Sequence, residues 1–407
     1  MTLIECFDRN HGENILGCLR LKPDTLILLG DGEQMELPAR RYKAVARSRG
    51  LKTRLVLQDL KGKTLWQTVS VLEALLREED RFVIDLTGGD EQVILAVGAA
   101  LAGLDRDRRK RVSVQRFEPA TGETVDCDGD GYVETGVDTD LTVEELIALH
   151  GGTISPRSDQ PGKDCSPHQL EGLWQLVAED PREWNRDIAV LAEFESRSDS
   201  KTQVFLPLSY LRRNIADFEQ KEARLRYLLG EFDRRGVVSD QSSASALEYT
   251  YTSRLMRSCT EKAGNALEIK TLLEARALRQ DGKPFFHDCR MGVSIDWDGI
   301  VHSPEQRVPE TRNEIDLILT RGLTPLFVSC KNGTIGDDEL YKLSTVAERF
   351  GGPYARKMLI ATDLDQKNPA SDRSFIQRAR DMGIYLVTDG AKLSRKDWQS
   401  IFKAALE

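Results

Sequence analysis

The 407 residues read as an α/β protein of three units, and three patterns carry that reading. Residues 1–120 alternate short apolar runs with amphipathic stretches, as βαβ units do on an open, mostly parallel Rossmann-like sheet. Residues 151–255 are helix-rich and end on a short β-like run, which reads as a helical, winged-helix-like connecting module. Residues 256–407 run α-β-β-β-α-β-α-β, and the middle strands carry two carboxylates and a lysine. Domains are therefore expected over 1–150, 151–255 and 256–407. A chain of this length exceeds what one core usually organises.

Taken in order, strands are expected at residues 2–7, 25–29, 53–57, 81–86 and 111–116, where apolar runs are bounded by turn formers. Helices are expected between them, at 12–19, 40–48, 64–78 and 91–104. Leu65, Trp66, Val69, Leu72, Leu75 and Leu76 recur at helical spacing, with polar residues on the other side. Residues 118–165 form a polar Gly/Asp-rich connection with one short helix at 143–149, for which Thr142 is the N-cap. Helices follow at 173–195 and 211–229, then an Arg-Arg-Gly turn and residues 237–251, with β-like Glu248-Tyr249-Thr250-Tyr251. The last unit opens with a helix at 266–278 and strands at 291–300, 314–319 and 326–330. A helix at 337–350, a strand at 357–362, a helix at 373–382 and a strand at 384–387 complete it.

Composition excludes several classes. Hydrophobic residues make up 40% and charged residues 30%, as in soluble globular proteins. No apolar run approaches the roughly 20 residues that span a bilayer, so no membrane partner is expected. Residues 1–6 read as a first strand and not as a leader. Seven cysteines, odd in number and without a CxxC pair, point to reduced thiols in a cytoplasmic protein. Five histidines, none paired at ligand spacing, argue against zinc. The net charge of −9 hides its distribution: residues 121–150 carry nine acids and no base, whereas 201–290 carry sixteen Lys/Arg against twelve Asp/Glu. The balance is neutral on nucleic acid.

Two places in the first unit are candidate ligand sites. Asp85-Leu86-Thr87-Gly88-Gly89-Asp90-Glu91 lies at a strand end and a helix start, where open parallel sheets bind ligands over helix N-termini. Thr87 offers a hydroxyl, and Gly88 and Gly89 let a phosphate approach the backbone; the alternative is an ordinary turn capped by Asp90. The loop after the first strand, Asp8-Arg9-Asn10-His11-Gly12, is polar and can face the same ligand. Neither GxGxxG nor GxxxxGK[ST] occurs, which disfavours a dehydrogenase or P-loop NTPase. Asp126-Cys127-Asp128-Gly129-Asp130-Gly131 imitates a calcium loop, but Val137 stands where the twelfth-position glutamate belongs, so an acidic surface turn is preferred.

The third unit holds the candidate catalytic site. Two strands meet at Thr320-Arg321-Gly322; alternation puts Glu314 and Asp316 on one face of the first, and Ser329 and Lys331 on one face of the second. Carboxylates and a lysine converging on a hairpin can hold a hard divalent cation and support phosphodiester hydrolysis. A surface hairpin with a chance ion pair is the bland alternative.

A helix with Glu268, a strand with Asp316, a strand ending in Lys331 and a following helix together resemble the PD-(D/E)xK nuclease superfamily over about residues 255–407, with its restriction-endonuclease-like fold. The resemblance implies that Glu268 and Asp316 bind Mg²⁺ or Mn²⁺ and that Lys331 positions or activates the attacking water. Ser329 stands where that family has an acid, and Glu314 is the residue that can supply the missing carboxylate.

With the Asp85–Gly89 loop in front, nearly the whole chain resembles the CARF-domain nucleases of type III CRISPR defence. That resemblance implies a CARF-like sensor domain that forms a homodimer and binds a cyclic oligoadenylate, usually cyclic tetra-adenylate, as activator. Asp8, Arg9, Asn10, His11, Thr87, Gly88, Gly89 and Asp90 would line the ligand site. Binding would switch on metal-dependent cleavage of DNA, RNA or both at Glu268, Glu314, Asp316 and Lys331. Two rivals remain: a ligand-sensing transcription regulator without catalysis, and an activator-independent repair or junction nuclease.

Overall fold

The computed structural model describes residues 1–407 except 79, 119–122, 129–131, 134–139, 156–164, 300–311, 334, 363–368 and 407. The first sheet grows outward from β1 (Thr2–Cys6), which pairs in parallel with β2 (Thr25–Gly30) and β4 (Phe82–Asp85). Parallel strands β3 (Arg54–Asp59) and β5 (Val112–Glu118) flank these, and β6 (Glu123–Asp126) and β7 (Tyr132–Val133) add an antiparallel edge. Alternation along β1 sends Leu3 to the core under α1 (Glu13–Leu21) and α2 (Gly32–Ser48). Ile4 and Cys6 face the opposite core, under α3 (Leu65–Leu75) and α4 (Glu91–Ala102).

The helix boundaries follow their caps. Thr64 and Thr142 close capping boxes with Gln67 and Glu145. α2 begins eight residues before the expected position 40, because the Asp31 carboxylate accepts from the Glu33 amide at 3.0 Å and Pro38 is carried inside the helix, buried. A short α5 (Arg106–Arg109), capped by Asp105, was not anticipated.

α6 (Val143–Leu149) is apolar on two sides and joins the units. Leu146 and Leu149, with Leu141, lie in the core of α1 and α2, whereas Val143 and Ile147 lie in a core of the last sheet. The next strand, β8 (Thr153–Ile154), pairs with that last sheet.

The middle of the chain is a winged helix. After α7 (Glu171–Glu179) come α8 (Pro181–Glu195), β9 (Gln203–Pro207), α9 (Leu208–Asn214), α10 (Phe218–Arg234), β10 (Val238–Asp240) and β11 (Ala246–Tyr251), with strand order β10-β11-β9. β9 was missed from the sequence although Val204 and Leu206 alternate inward along it. Its buried node is Glu195, which accepts from the Tyr249 and Tyr251 hydroxyls at 2.8 and 2.7 Å and pairs with Arg257 at 3.2 Å.

α11 (Arg254–Thr260), α12 (Asn265–Ala277) and a small hairpin, β12 (Arg279–Gln280) and β13 (Lys283–Pro284), lead into the last sheet. Its order is β18-β17-β16-β15-β14-β8, with β14 (Asp288–Asp296), β15 (Arg312–Arg321), β16 (Thr324–Lys331), β17 (Arg356–Ala361) and β18 (Ile384–Val387). α13 (Asp338–Gly351) and α14 (Pro369–Asp381) accompany the core of Phe327 and Leu359; α12 accompanies that of Val328 and Cys330. The C-terminal α15 (Arg395–Ala404) was not anticipated, although Ser394 and Asp397 form a capping box and Trp398 and Phe402 are wholly buried. This is the three-part α/β architecture expected from the sequence.

Candidate functional site

The hairpin of β15 and β16 opens into a fork where the candidate residues sit. The ladder between them runs from Arg321–Thr324 to Leu317–Val328, but β16 stays paired with β17 as far as Lys331–Ala361. A backbone amide freed by that divergence needs another acceptor. The Cys330 amide finds Asp316, donating to Oδ2 at 2.6 Å, and the Ser329 hydroxyl donates to the same oxygen at 3.2 Å. No donor among the described residues reaches Oδ1. Burial pushes the Asp316 carboxyl above its ordinary range, and the bonds from Cys330 and Ser329 and the charge of Lys331 offset only part of that.

Lys331 is half-buried at the tip of β16, its Nζ 2.7 Å from Glu339 Oε2. Burial works against the ammonium, but the Glu339 bond and the charges of Asp316 and Glu339 outweigh it, so the lysine holds its proton above the ordinary value. Glu339, near the start of α13, also binds Lys342 at 3.0 Å. The sequence reading overlooked it; the available signal was an acid in the first turn of the helix that follows the lysine strand.

The other two expected ligands lie at the margins. Glu268 is in the first turn of α12, on the side of Cys330, whose thiol donates to the Thr271 hydroxyl at 3.7 Å. Burial, then Asp316 and Glu268, push that thiol up, so both carboxylates act on one buried sulfur. Glu314 is exposed on β15 opposite Ser294, and its charge reaches Asp316. Among the described residues no three His, Cys, Asp or Glu side chains are gathered as a metal cage. Asn332 locks the tip of β16: it accepts from the Thr362 hydroxyl at 2.7 Å and donates to Asn185 of α8 at 2.7 Å.

In the first sheet the two candidate loops meet. The Gly89 amide points at Asp8 Oδ2 from 3.4 Å, and the Asn10 amide donates to Asp8 Oδ1 at 2.9 Å. A Cβ on Gly88 would stand 2.6 Å from that of Asp8, and one on Gly89, where φ is +114°, 2.5 Å from that of Cys6. Only glycine allows this approach. Thr87 is already engaged: its hydroxyl donates to Asp85 and accepts from the Phe117 amide at 2.7 Å. Asp90 caps α4 by accepting from the Gln92 amide at 2.8 Å. Arg9 is exposed, and His11 turns inward to Tyr42, 2.8 Å from its hydroxyl. In the calcium-like loop, Asp128 pairs with Arg109 and accepts from the Val114 amide at 2.7 Å; Gly129, Asp130, Gly131 and Val137 lie outside the described residues.

The candidate loop after β1 also approaches the hairpin. A Cβ on Gly12 would lie 3.4 Å from Leu323, at the turn between β15 and β16. The Gly322 amide donates to Asp140 at 3.0 Å, and the Tyr354 hydroxyl donates to Glu13 at the start of α1.

No protein-family model matches the chain, and no curated protein matches it in sequence. Solved structures do match. Protein VC1899 from Vibrio cholerae is 19% identical with a TM-score of 0.71, over 99% of this chain and 96% of that one. Can2 from Sulfobacillus thermosulfidooxidans, solved in complex with cyclic tetra-adenylate, is 14% identical with a TM-score of 0.62, over 100% and 97%. At these identities the likeness is one of fold, and it extends over nearly the full length of each chain, through the front sheet, the middle module and the hairpin-bearing last sheet.

Proposed function

We propose that this chain is a nuclease of type III CRISPR defence, switched on by a cyclic oligoadenylate and dependent on Mg²⁺ or Mn²⁺, that cleaves DNA, RNA or both. The observation that carries the reading is the fork: Asp316 with a free oxygen and Lys331 share the open end of the two central strands. The donor set is all carboxylate oxygen, which suits a hard cation. The lack of a three-residue cage among the described residues is compatible with Mg²⁺, which usually takes one or two carboxylates and completes its shell with water and substrate phosphate. Asp316, with Glu268 and Glu314 as the nearby acids, would hold the metal, which supplies polarisation of the phosphate and acidification of water. Lys331 presents its ammonium to the charge that develops on the phosphoryl oxygens. Ser329 and the Cys330 amide fix the Asp316 carboxylate, so its free oxygen keeps one direction.

Cyclic tetra-adenylate is the activator we infer, since Can2, of the same fold, was solved with it. The joined loops at Asp8–His11 and Thr87–Asp90 are its proposed seat. Exposed Ile94 and Leu95 on α4, with Trp66 on α3, support a homodimer that would bring two copies of the Thr87–Asp90 loop together. Trp66→Glu should yield monomers in light scattering; an unchanged mass would remove this face from the proposal.

No helix among the described residues is long and apolar enough to cross a membrane. All seven cysteines are unbridged, and this supports a cytoplasmic setting. The winged helix raises a regulator as the second reading, but the arginines of α10 are occupied: Arg224 by Glu183 and Asp187, Arg226 by Glu222, and Arg234 by Glu231. The deciding experiment is cleavage of plasmid and single-stranded substrates across activator ring sizes, with Mg²⁺ and Mn²⁺ compared. Cleavage indifferent to every cyclic oligoadenylate defeats the sensor half; no cleavage under any condition defeats the nuclease half.

A further inference from the structure

His11, His150 and Arg41 gather where the first sheet adjoins the last, and the exposed Arg349 acts on both imidazoles through its charge; the four come from four separate places. His11 follows β1, Arg41 is on α2, His150 caps the C-terminus of α6, and Arg349 is in the last turn of α13. The two imidazoles stand edge to face with ring centroids 5.6 Å apart. The Arg41 guanidinium lies against Gly151, next to His150, with Nη1 3.5 Å from the Leu149 carbonyl. A Cβ on Gly352, three residues beyond Arg349, would lie 2.9 Å from His150 Nε2. Neither arginine pairs with a carboxylate among the described residues. The acids in the neighbourhood are otherwise committed: Asp8 holds the Asn10 and Gly89 amides, and Glu13 accepts from Tyr354 and Asn10.

The hydrogen bonds also bear on what the histidines offer. Asn14 Nδ2 donates to the Tyr42 oxygen at 3.0 Å, and the Tyr42 hydroxyl, 2.8 Å from His11 Nδ1, donates to it in one of the two imidazole tautomers. In that tautomer His11 carries its own proton on Nε2 and presents it away from Tyr42. His150 Nδ1 donates to the Leu146 carbonyl at 3.0 Å, which leaves Nε2 to gain a proton when a negative charge arrives. Two guanidiniums, one N–H and one chargeable imidazole form a concentration of donors, in which Asp8, the acid whose charge acts on His11, is engaged by the Asn10 and Gly89 amides. The two guanidiniums are positive, and an anion among these donors would gain from charge and hydrogen bonds together.

We propose that His11, Arg41, His150 and Arg349 form a binding site for a phosphate-type oxyanion at the junction between the sensor sheet and the hairpin-bearing sheet. Guanidinium pairs and imidazole N–H groups match the several acceptor oxygens of a tetrahedral phosphate. Burial, with the charges of His150, Arg41 and Arg349, pushes His11 down to about 4. Burial, with Arg349 and Arg41, lowers His150 as well. Since one ligand group would touch α2, α6 and α13 at once, its binding ties the two sheets together, and it does so whether or not the chain is a nuclease.

The test is histidine NMR on the full-length chain, titrated with inorganic phosphate against chloride at equal ionic strength. Phosphate is expected to raise the His11 titration midpoint by about one unit or more, as a nearby opposite charge does. Arg349→Gln, an exposed substitution that leaves the core untouched, should abolish that rise, and Arg41→Gln should do the same. Further arms with cyclic tetra-adenylate and with a 5′-phosphorylated oligonucleotide identify the source of the phosphate: a rise with either, lost in Arg349→Gln, supports the site. Equal responses to phosphate and chloride, or a phosphate response that survives both substitutions, overturn it. Cleavage activity enters none of these readouts, so the outcome is separable from that of the nuclease proposal.

Discussion

Two aspartates sit on central strands of this molecule, Asp85 at the end of its strand and Asp316 within β15 where the ladder to β16 stops, and they have opposite fates. Asp85, at the end of β4, is 3% exposed; Oδ1 takes the Thr87 amide and hydroxyl, and Oδ2 takes Gln115 at 2.6 Å. Asp316, on β15, spends one oxygen on Ser329 and Cys330 and keeps the other. Burial raises both carboxyls, so a perturbed acidity does not separate them. What separates them is the unspent lone pairs and their access to solvent. Asp85 is a brace for the Thr87 loop; Asp316 can take a ligand.

Around Asp85 lies a polar row that the brace belongs to. Glu5, Asp85 and Gln115 are register neighbours on β1, β4 and β5, and Arg20 of α1 donates to Gln115. Gly17 of α1 passes so close that a Cβ there would reach Asp85 Oδ2 at 3.3 Å and Glu5 more closely still. This space is filled, whereas the fork at Asp316 is open at the strand ends. The contrast therefore predicts different phenotypes from similar substitutions.

The largest effect is expected at the fork. Lys331→Ala or Asp316→Ala should cut single-turnover cleavage by about a hundredfold or more, the scale of losing one transition-state charge contact. Activator binding, measured separately, should be unchanged. Either variant cleaving at the parental rate in Mn²⁺ would return the fork to the status of Asp85.

Next comes the brace itself. Asp85→Ala leaves the Thr87 amide and the Gln115 side chain without their acceptor, a loss of about 3 kcal/mol in chemical denaturation. The remaining folded fraction should cleave normally once activated. A loss of cleavage without a loss of stability would erase the distinction drawn between the two aspartates.

How far these fates were legible in the sequence follows from the same physics. The period-2 pattern put Glu314 with Asp316 and Ser329 with Lys331, and the glycines at 88 and 89 marked a close approach. Pattern alone could not show that β15 and β16 diverge at Leu317, since divergence depends on β16 continuing along β17. Nor could it bring Glu339 to Lys331 across the turn before α13, or Arg41 to the Leu149 carbonyl from 108 residues away. The acids in β1 and β4 were visible as interruptions of apolar runs, yet nothing local told a buried brace from a ligand. α15 and β9 were written in the sequence, as a capping box and an alternating run, and were simply passed over.

A smaller effect tests the closed side by pH. The Glu5 Oε1 atom is buried without a partner, and burial, followed by the charge of Asp85, holds its carboxyl well above the ordinary 4.5. A raised carboxyl means that the folded state binds the proton more tightly than the unfolded chain. Stability is therefore present below 4.5 and declines as pH rises from there toward the folded value. Glu5→Gln removes that proton linkage while keeping the shape. The variant should melt above the parent at pH 8, with the gap closing toward pH 5; a constant gap would show that Glu5 is not the titrating group.

The smallest effect concerns the partner that the fork has and the brace lacks. Glu339 holds Lys331 from α13, and a half-exposed pair of this kind is worth about 1 kcal/mol, so Glu339→Gln should slow cleavage by only about fivefold. The direction of its pH effect is more telling than its size. Glu339 helps the Lys331 ammonium keep its proton against burial, so removing that carboxylate moves the alkaline limb of the cleavage profile to lower pH. Glu339→Asp, keeping the charge on a shorter arm, should restore part of the limb. If Glu339→Gln lowers the rate equally at every pH, the contact serves only to anchor α13. A displaced limb would instead mean that the open aspartate works beside a lysine whose charge is set from the neighbouring helix, a dependence for which the enclosed Asp85 has no counterpart.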